Sequence, residues 1–455
     1  MAARTSLVYI CSACGTASAK WQGQCPQCAE WNTLEQQAAP RGVRTGLAAL
    51  AAATPDAVSL GAAVTSAPAR ITTGLAELDR VLGGGLVPGS VTLLGGDPGI
   101  GKSTLLLQLG AHLATHRKVL YASGEESLPQ VALRAQRLGL GNTAMGFIAD
   151  NDLDQVIAAA SERSVELLLV DSIQTLQSAS VQTSTGGTTQ LRECTAALVR
   201  FAKSRNVIVV IVGHVTKEGM LAGPRALEHI VDTVLYFESE AGSRYRIVRA
   251  AKNRFGAVNE LGFFAMTESG LREVANPSAI FLSRAAEPAP GSIVTIVREG
   301  GRPLLIELQA LVDPMRFGAP RRVAQGLDAN RIAMLLAVLH RHGGVSLQDH
   351  DVFVNLVGGI EVGETAWDLA ALLALASSRE SRAISNTTIA FGEVGLTGEV
   401  RPVAYGEERL REAHKQGFQR AIVPADNAPR KPLPGMAVIG VSKVSEALEK
   451  IFSTN

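Results

Sequence analysis

The chain has 455 residues, 46% of them hydrophobic and 19% charged, a globular composition whose length suits two or three domains at roughly 150 residues each. Its 43 Lys and Arg against 42 Asp and Glu give a net charge of +1, which excludes a broadly basic nucleic-acid coat but not a narrow basic strip inside a channel. No run approaches the ~18 apolar residues of a membrane helix, and MAARTSLVYI carries no apolar signal core with a cleavage site, so a cytoplasmic protein with no membrane contact is expected.

Residues 1–35 hold Cys11-x-x-Cys14 and Cys25-x-x-Cys28, ten residues apart, together with Trp21 and Trp31. Each C-x-x-C knuckle can bring two sulfurs to about 2.3 Å from one Zn²⁺, and two knuckles close a tetrahedron. So short a segment has no core of its own, and ligation worth on the order of 10–16 kcal/mol would supply its stability. Four thiolates leave no open position, so the zinc is read as structural. A redox dithiol pair is the rival reading, although nothing like a thioredoxin unit surrounds the cysteines. Lys20, Trp21 and Trp31 suit either a DNA or a protein partner. The fifth cysteine, Cys194, stands alone in a helical stretch. Residues 36–68 are dominated by Ala, Gly, Thr and Pro and read as a flexible linker.

From Ile71 the pattern changes. SVTLLGG, KVLYAS, VELLLVDSI and VIVVIVGHV read as strands buried on both faces, with TLLLQLGAHLATH, PQVALRAQRLG, LDQVIAAASERS and TQLRECTAALVRFAKSR as the helices between them. The alternation predicts an α/β domain over 69–275, its mostly parallel sheet covered by helices on both faces. Antiparallel strands are expected at one edge over 236–264, and a Pro/Ala-rich stretch at 275–291 marks a second boundary. Beyond it, over 290–455, strands SIVTIVREG and PLLIELQALV precede helix NRIAMLLAVLHRH. Strand VFVNLVGG, helix AWDLAALLALASS, strands TTIAFGEVG and EVRPVA, helix EERLREAHKQG, strands RAIVPA and AVIGV and helix KVSEALEKIF complete the chain.

The strongest local signal is Gly96-Asp97-Pro98-Gly99-Ile100-Gly101-Lys102-Ser103, a complete G-x-x-x-x-G-K-[ST] match set between a strand and a helix. Its backbone N–H groups would curl around the phosphates of ATP, with Thr104 closing the binding set. Lys102, expected on a surface loop clear of the core, supplies a point charge to the β- and γ-phosphates, and Ser103 a Mg²⁺ ligand. A glycine-rich turn with a chance lysine is the bland alternative. Asp171 ends the apolar run LLLV and would hold Mg²⁺ through water; elsewhere such an Asp caps the next helix. After KVLYAS come Glu125, read as the carboxylate that orients the attacking water, and Glu126, the second candidate. Both could instead be first-turn acids favoured by the helix dipole. His214, at the end of VIVVIVGH, would face the γ-phosphate or be satisfied by backbone.

Together these segments resemble the bacterial RadA (Sms) family of DNA repair proteins over nearly the whole chain. The likeness runs through CSACG…CPQC, GGDPGIGKST, YASGEES, VDSIQTL, GHVTKEG and GPRALEHIVD. It is most specific at Lys252-Asn253-Arg254-Phe255-Gly256, similar to the family's KNRFG motif. The resemblance implies a RecA/DnaB-like P-loop ATPase that acts on single-stranded and branched DNA and promotes branch migration of strands paired by RecA. It implies a homo-oligomer, a hexameric ring by analogy, and catalytic roles for Lys102, Asp171, Lys252 and Arg254. Because ATP in such rings lies between subunits, Lys252 and Arg254 are expected to reach the neighbour's γ-phosphate; the competing view has them bind DNA phosphates on their own subunit.

Residues 290–455, most clearly 351–455, resemble the proteolytic domain of Lon through VFVNLVGGIEV…DLAALLALASS and GEVGLTGEVRPV. Lon chemistry needs a Ser nucleophile and a Lys base, and those positions fall on Ala366 and Glu407. Thr365 lies beside the lost serine but has no Lys partner. An inactive α+β domain that serves ring assembly, with DNA contact as a second role, is therefore expected. Three function classes remain to be separated: a DNA-stimulated ATPase motor, an ATP-switched scaffold without motor activity, and an ATP-dependent protease.

Overall fold

The chain is described, as a computed structural model, over residues 7–12, 16–18, 20–38, 69–181, 183–214, 226–239, 243–283, 287–315 and 318–453. Cys14, residues 39–68 of the expected linker and residues 215–225, which include most of GHVTKEG, lie outside that set.

At the amino end, β1 (Leu7–Cys11), β2 (Ala17–Ser18) and β3 (Leu34–Ala38) form an antiparallel sheet in the order β2-β1-β3. The strand β3 carries this sheet into the first residues of the expected linker.

A short helix, α1 (Ala76–Leu82), precedes β4 (Val91–Gly96), α2 (Lys102–Leu113), β5 (Val119–Ser123), α3 (Leu128–Arg137), β6 (Gly146–Ala149), α4 (Leu153–Glu162), β7 (Leu167–Asp171), α5 (Thr188–Arg205) and β8 (Ile208–His214). Then come β9 (Thr233–Glu238), β10 (Tyr245–Asn253), β11 (Leu261–Thr267) and β12 (Gly270–Glu273). Their nine-stranded sheet runs β12-β11-β10-β9-β4-β8-β7-β5-β6. Local chemistry starts the helices: Ser127 N and Oγ both donate to Gln130 Oε1 at the start of α3 (2.9 and 2.8 Å), and the Asp152 carboxylate accepts from Asp154 N at the start of α4. Side chains of α1, α2 and α3 pack one face of the sheet, and α4 and α5 pack the other. This is the mostly parallel sheet, covered by helices on both faces, expected from the alternating pattern. One detail differs: β9 runs parallel to β4, with Thr92 beside Thr233, and the antiparallel extension begins only at β10. Strand direction depends on the crossover before it, which the residues of β9 do not encode. The short α1 and β6 fell outside the pattern altogether.

The remaining elements are β13 (Ser292–Glu299), β14 (Arg302–Pro314), β15 (Arg322–Gln325), α6 (Ala329–Gly343), β16 (His350–Leu356), α7 (Asp368–Glu380), β17 (Thr388–Ala390), β18 (Glu393–Val394), β19 (Val400–Arg401), α8 (Gly406–Lys415), β20 (Arg420–Pro424), β21 (Ala437–Val441) and α9 (Val444–Phe452). A seven-stranded mixed sheet runs β15-β16-β14-β13-β17-β20-β21. Helix α7, apolar on every side, is buried at every residue from 368 to 377, as an all-round hydrophobic helix must be. It packs with α6 and α9 on one face of the sheet, while α8 covers part of the other.

The two large sheets share a core. Leu261 and Phe263 of β11 join the cluster built around α7, and Phe281 stacks edge-on against Phe263 at 5.8 Å between centroids. Phe281 is 1% exposed, and the turn Pro277–Ile280 ahead of it is packed. The Pro/Ala-rich stretch thus begins as a fitted connector. Glu77 of α1 binds Arg302 Nη1 with both oxygens (2.9 and 3.2 Å) and accepts from Phe263 N, while Arg249 of β10 reaches both Glu238 and Glu299. Among the described residues, no helix is long and apolar enough to cross a membrane.

Candidate nucleotide site and metal centre

The loop from Gly96 to Gly101 joins β4 to α2. Gly96 has φ 154° and Gly101 φ 119°; a Cβ on the first would meet Phe237 O at 2.7 Å and on the second Met266 Cε at 2.6 Å. Only glycine allows both the backbone and the close approach. Asp97, Pro98, Gly99 and Ile100 form the loop between them, and Ser103 and Thr104 follow Lys102 in the first turn of α2, at its positive end.

Lys102 is 3% exposed, which corrects the expectation of a surface charge. Its Nζ turns back to donate to Gly96 O and Asp97 O, both at 2.8 Å. Burial lowers its pKa, and the negative charges of Asp171, Asp97 and Glu125 oppose that shift. Those acids reach the lysine from three separate segments. Asp171, at the end of β7 and 5% exposed, accepts a hydrogen bond from Tyr121 Oη of β5 at 2.6 Å. Burial, reinforced by Asp171, raises the Tyr121 pKa well above its ordinary value, so the phenol stays a neutral donor.

The neighbouring acids Glu125 and Glu126 part company. Glu126 pairs with Arg134 of α3, and its backbone N–H donates to Ser123 Oγ. Glu125 instead accepts from Ser172 Oγ at 2.5 Å, with His214 Nε2 3.4 Å away on the same oxygen. The His214 contact is the leading cause that lowers the Glu125 pKa; burial opposes it, and Ser172 and Lys102 add to it. In the sheet, His214 lies beside Gly96.

Lys252 and Arg254 are not brought to this site within the chain. Strand β10 is antiparallel to β9, so Asn253 lies opposite Thr233, whereas Gly96 lies opposite Phe237. The two motifs occupy opposite ends of β9, about 13 Å apart along the strand. Lys252 Nζ donates to Glu228 O and Val231 O (2.6 and 2.9 Å), and Arg254 pairs with Asp232 at 3.2 Å with its side chain 52% exposed. Gly256 packs on Gly83 at the end of α1, where a Cβ would come within 2.9 Å of the Gly83 Cα.

Reading the sequence missed Tyr121, Ser172 and Arg246. Arg246 Nε donates to Ile100 O at 3.0 Å and so braces the phosphate loop from β10. Ser172 was visible beside Asp171 but carried no signal of its partner; the others lie too far along the chain to be linked to the site by spacing.

In the small amino-terminal sheet, the sulfurs of Cys11, Cys25 and Cys28 all lie within 4.8 Å of one another, and Cys11 Sγ and Cys28 Sγ are 3.6 Å apart. Thiolates around one tetrahedral Zn²⁺ at about 2.3 Å would be separated by about 3.8 Å. The three described sulfurs fit that geometry.

In the carboxyl-terminal sheet, Ala366 is 1% exposed with its carbonyl bonded to Gly392 N. Thr365 Oγ1 donates to Glu393 at 2.7 Å, and Glu407 pairs with Arg411 on the exposed side of α8. The buried Arg409 makes a bidentate pair with Glu364 (2.8 and 2.7 Å) and donates to Ile296 O.

A glycine-shaped phosphate loop, a parallel sheet presenting acids around its lysine, a cysteine metal cluster and a Lon-like sheet define a RecA-like P-loop ATPase-family protein with a zinc-ribbon module. Residues 59–220 match the AAA domain family, 9–36 the rubredoxin metal binding domain, and 329–427 the subunit ChlI of Mg-chelatase. The chain is 52% identical to the DNA repair protein RadA of Pseudomonas aeruginosa over 99% of its own length and 100% of the relative's. It is 52% identical to the Escherichia coli protein of that name (98% and 99%) and 47% to that of Bacillus subtilis (98% of each). The chain belongs to the RadA family of DNA repair proteins.

Proposed function

We propose that this protein is a DNA-stimulated ATPase motor that processes homologous-recombination intermediates and promotes branch migration of RecA-paired strands. The observation that carries this reading is the convergence of Lys102, Asp171 and Glu125 at one end of the parallel sheet, in a chain of the RadA family. In the proposed site, loop N–H groups and Lys102 hold the phosphates of ATP. Ser103 and, through water, Asp171 hold Mg²⁺, which would neutralise charge developing on the transferred phosphoryl group. Glu125 orients the attacking water and takes its proton. Glu126, tied to Arg134, supports α3 instead.

The proposed organisation is a zinc module at 1–35, a linker over 36–68, the ATPase at 69–275 and a Lon-like scaffold at 290–455. Copies assemble as a ring, hexameric by analogy, in the cytoplasm on single-stranded and branched DNA. The separation of Lys252 and Arg254 from their own phosphate loop supports a role at the neighbour's site. Ala366 and the outward pairing of Glu407 argue against proteolysis, since neither provides a nucleophile or an amine base. ATP turnover measured with and without single-stranded DNA, beside a strand-displacement assay and a peptide-cleavage assay, tests the reading. Stimulated turnover with directional displacement is expected. Turnover without displacement would leave the scaffold, and peptide cleavage the protease.

A further inference from the structure

We infer that Ser172 and His214 are positioning residues that fix the Glu125 carboxylate, an inference that rests on the reading of Glu125 as the water-orienting group. Glu125 comes from the turn after β5, Ser172 from the residue after β7, and His214 from the end of β8. Both partners use one oxygen: Ser172 Oγ donates to Glu125 Oε1 at 2.5 Å, and His214 Nε2 lies 3.4 Å from it. Among the described residues Oε2 meets no protein donor, which leaves it the oxygen to accept a proton from water.

The surrounding backbone is built to keep this arrangement. Gly124 N donates to Asp171 O at 3.3 Å, and a Cβ on Gly124 would strike Thr175 Oγ1 at 2.3 Å. The Glu125 turn is thus docked directly on the turn after β7. Thr175 Oγ1 in turn donates to Ser172 O at 2.8 Å, and Gln174 Nε2 donates to His214 O at 3.3 Å. Ser172 is 0% exposed, whereas the Glu125 side chain is 40% exposed and would otherwise be free to turn into solvent. A carboxylate that must meet a water in line with a phosphorus atom gains most from being held in one orientation before the reaction. The serine next to the Mg²⁺-side aspartate performs that holding, and the histidine ties it to the strand beside the phosphate loop.

The acid limb of the kcat profile provides a second handle. The titratable groups facing Glu125 are the lysine Lys102 from α2 and the imidazole of His214 from β8; Asp171 and Asp97 face Lys102. Ser172 donates to the ionised carboxylate and holds its pKa down, so its removal raises that pKa and moves the acid limb to higher pH.

The test uses the full chain with ATP, Mg²⁺ and single-stranded DNA, and compares Ser172→Ala, His214→Ala, His214→Gln and Glu125→Gln. Ser172→Ala and His214→Ala should each lower kcat on the order of tenfold, the scale of one hydrogen bond to an ionised group. Affinity for a fluorescent ATP analogue should stay within about twofold, His214→Gln should recover part of the loss by supplying a donor, and Ser172→Ala should shift the acid limb upward. A Ser172→Ala chain with the melting temperature of the intact protein, normal nucleotide affinity, unchanged kcat and an unmoved limb overturns the inference. If Ser172→Ala does not fold, the half-exposed His214 decides: equal kcat for His214→Ala and the intact chain overturns it. Glu125→Gln separates the two levels. Abolished turnover there beside normal Ser172→Ala and His214→Ala chains sinks the positioning role alone, whereas near-normal turnover in Glu125→Gln sinks the water-orienting reading and this inference with it.

Discussion

Replacing Lys102 by alanine removes a brace as well as the proposed phosphate ligand. Its ammonium donates to Gly96 O and Asp97 O at 2.8 Å each while 3% exposed. Two hydrogen bonds from a charged donor are worth roughly 3–6 kcal/mol. The burial that lowers the Lys102 pKa offsets part of that gain, leaving a loss of about 1–3 kcal/mol on truncation. In a domain of this size that is a fall in Tm of roughly 5 °C before any nucleotide is added. Turnover should fall at least on the order of 100-fold, as on loss of a preorganised donor at developing charge. Melting curves with and without Mg²⁺ and ATP, beside a phosphate-release assay, read both effects. At about 100 times Kd, nucleotide should stabilise the intact chain by about 2.7 kcal/mol and the variant hardly at all. A folded variant with normal turnover refutes the phosphate-loop assignment. A variant that melts with the intact chain in buffer alone refutes the bracing role.

Metal analysis of anaerobically purified protein should find one Zn²⁺ per chain, lost with local structure in Cys25→Ala, while the ATPase core keeps its melting transition. Lys102→Ala and Arg254→Ala chains should each be nearly inactive yet regain turnover when mixed, because some interfaces then pair an intact lysine with a neighbour's intact arginine; verified mixed rings with no gain refute action in trans. Deleting residues from 290 onward should yield smaller species by light scattering, and because the cut uncovers Leu261, Phe263 and Phe281 the remainder should also melt at lower temperature; an unchanged oligomer refutes the scaffold role. Arg409→Met should cost about 3 kcal/mol in chemical denaturation by removing the ion-pair partner of Glu364, which among the described residues keeps only the Arg298 N–H as a donor, with ATP turnover per folded chain unaffected.

The parts of this molecule legible from the sequence are those whose meaning is local. A phosphate loop is eight consecutive residues with their own strand and helix, and a C-x-x-C knuckle is four. The doubly buried strands advertise themselves by unbroken Val, Ile and Leu. What stayed hidden depends on distant partners: Tyr121 on Asp171, Ser172 on Glu125, Arg246 on Ile100, and Phe281 on Phe263. Composition marked 275–291 as a boundary, yet Phe281 packs on Phe263 there and Ser278 accepts from Leu305 N. The burial of Lys102 was unreadable because a lysine's usual place is in water, and only the fold of its own loop supplies the carbonyls that keep it inside.

Strand β10 touches three places at once. Near its start Arg246 grips the phosphate loop, midway Arg249 engages Glu238 and Glu299, and past a bulge between Ala250 and Lys252 its end carries Lys252, with Arg254 just beyond it, both bonded to the segment 228–232. Its neighbour β11 is wedged into the core of the second large sheet. The strand therefore joins its arginine end and the phosphate loop through one hydrogen-bonded ribbon. On the proposed ring arrangement, that ribbon would lie between one subunit's phosphate loop and the nucleotide of its neighbour, with the second large sheet packed against it. The amino-terminal metal module shares none of these fastenings among the described residues.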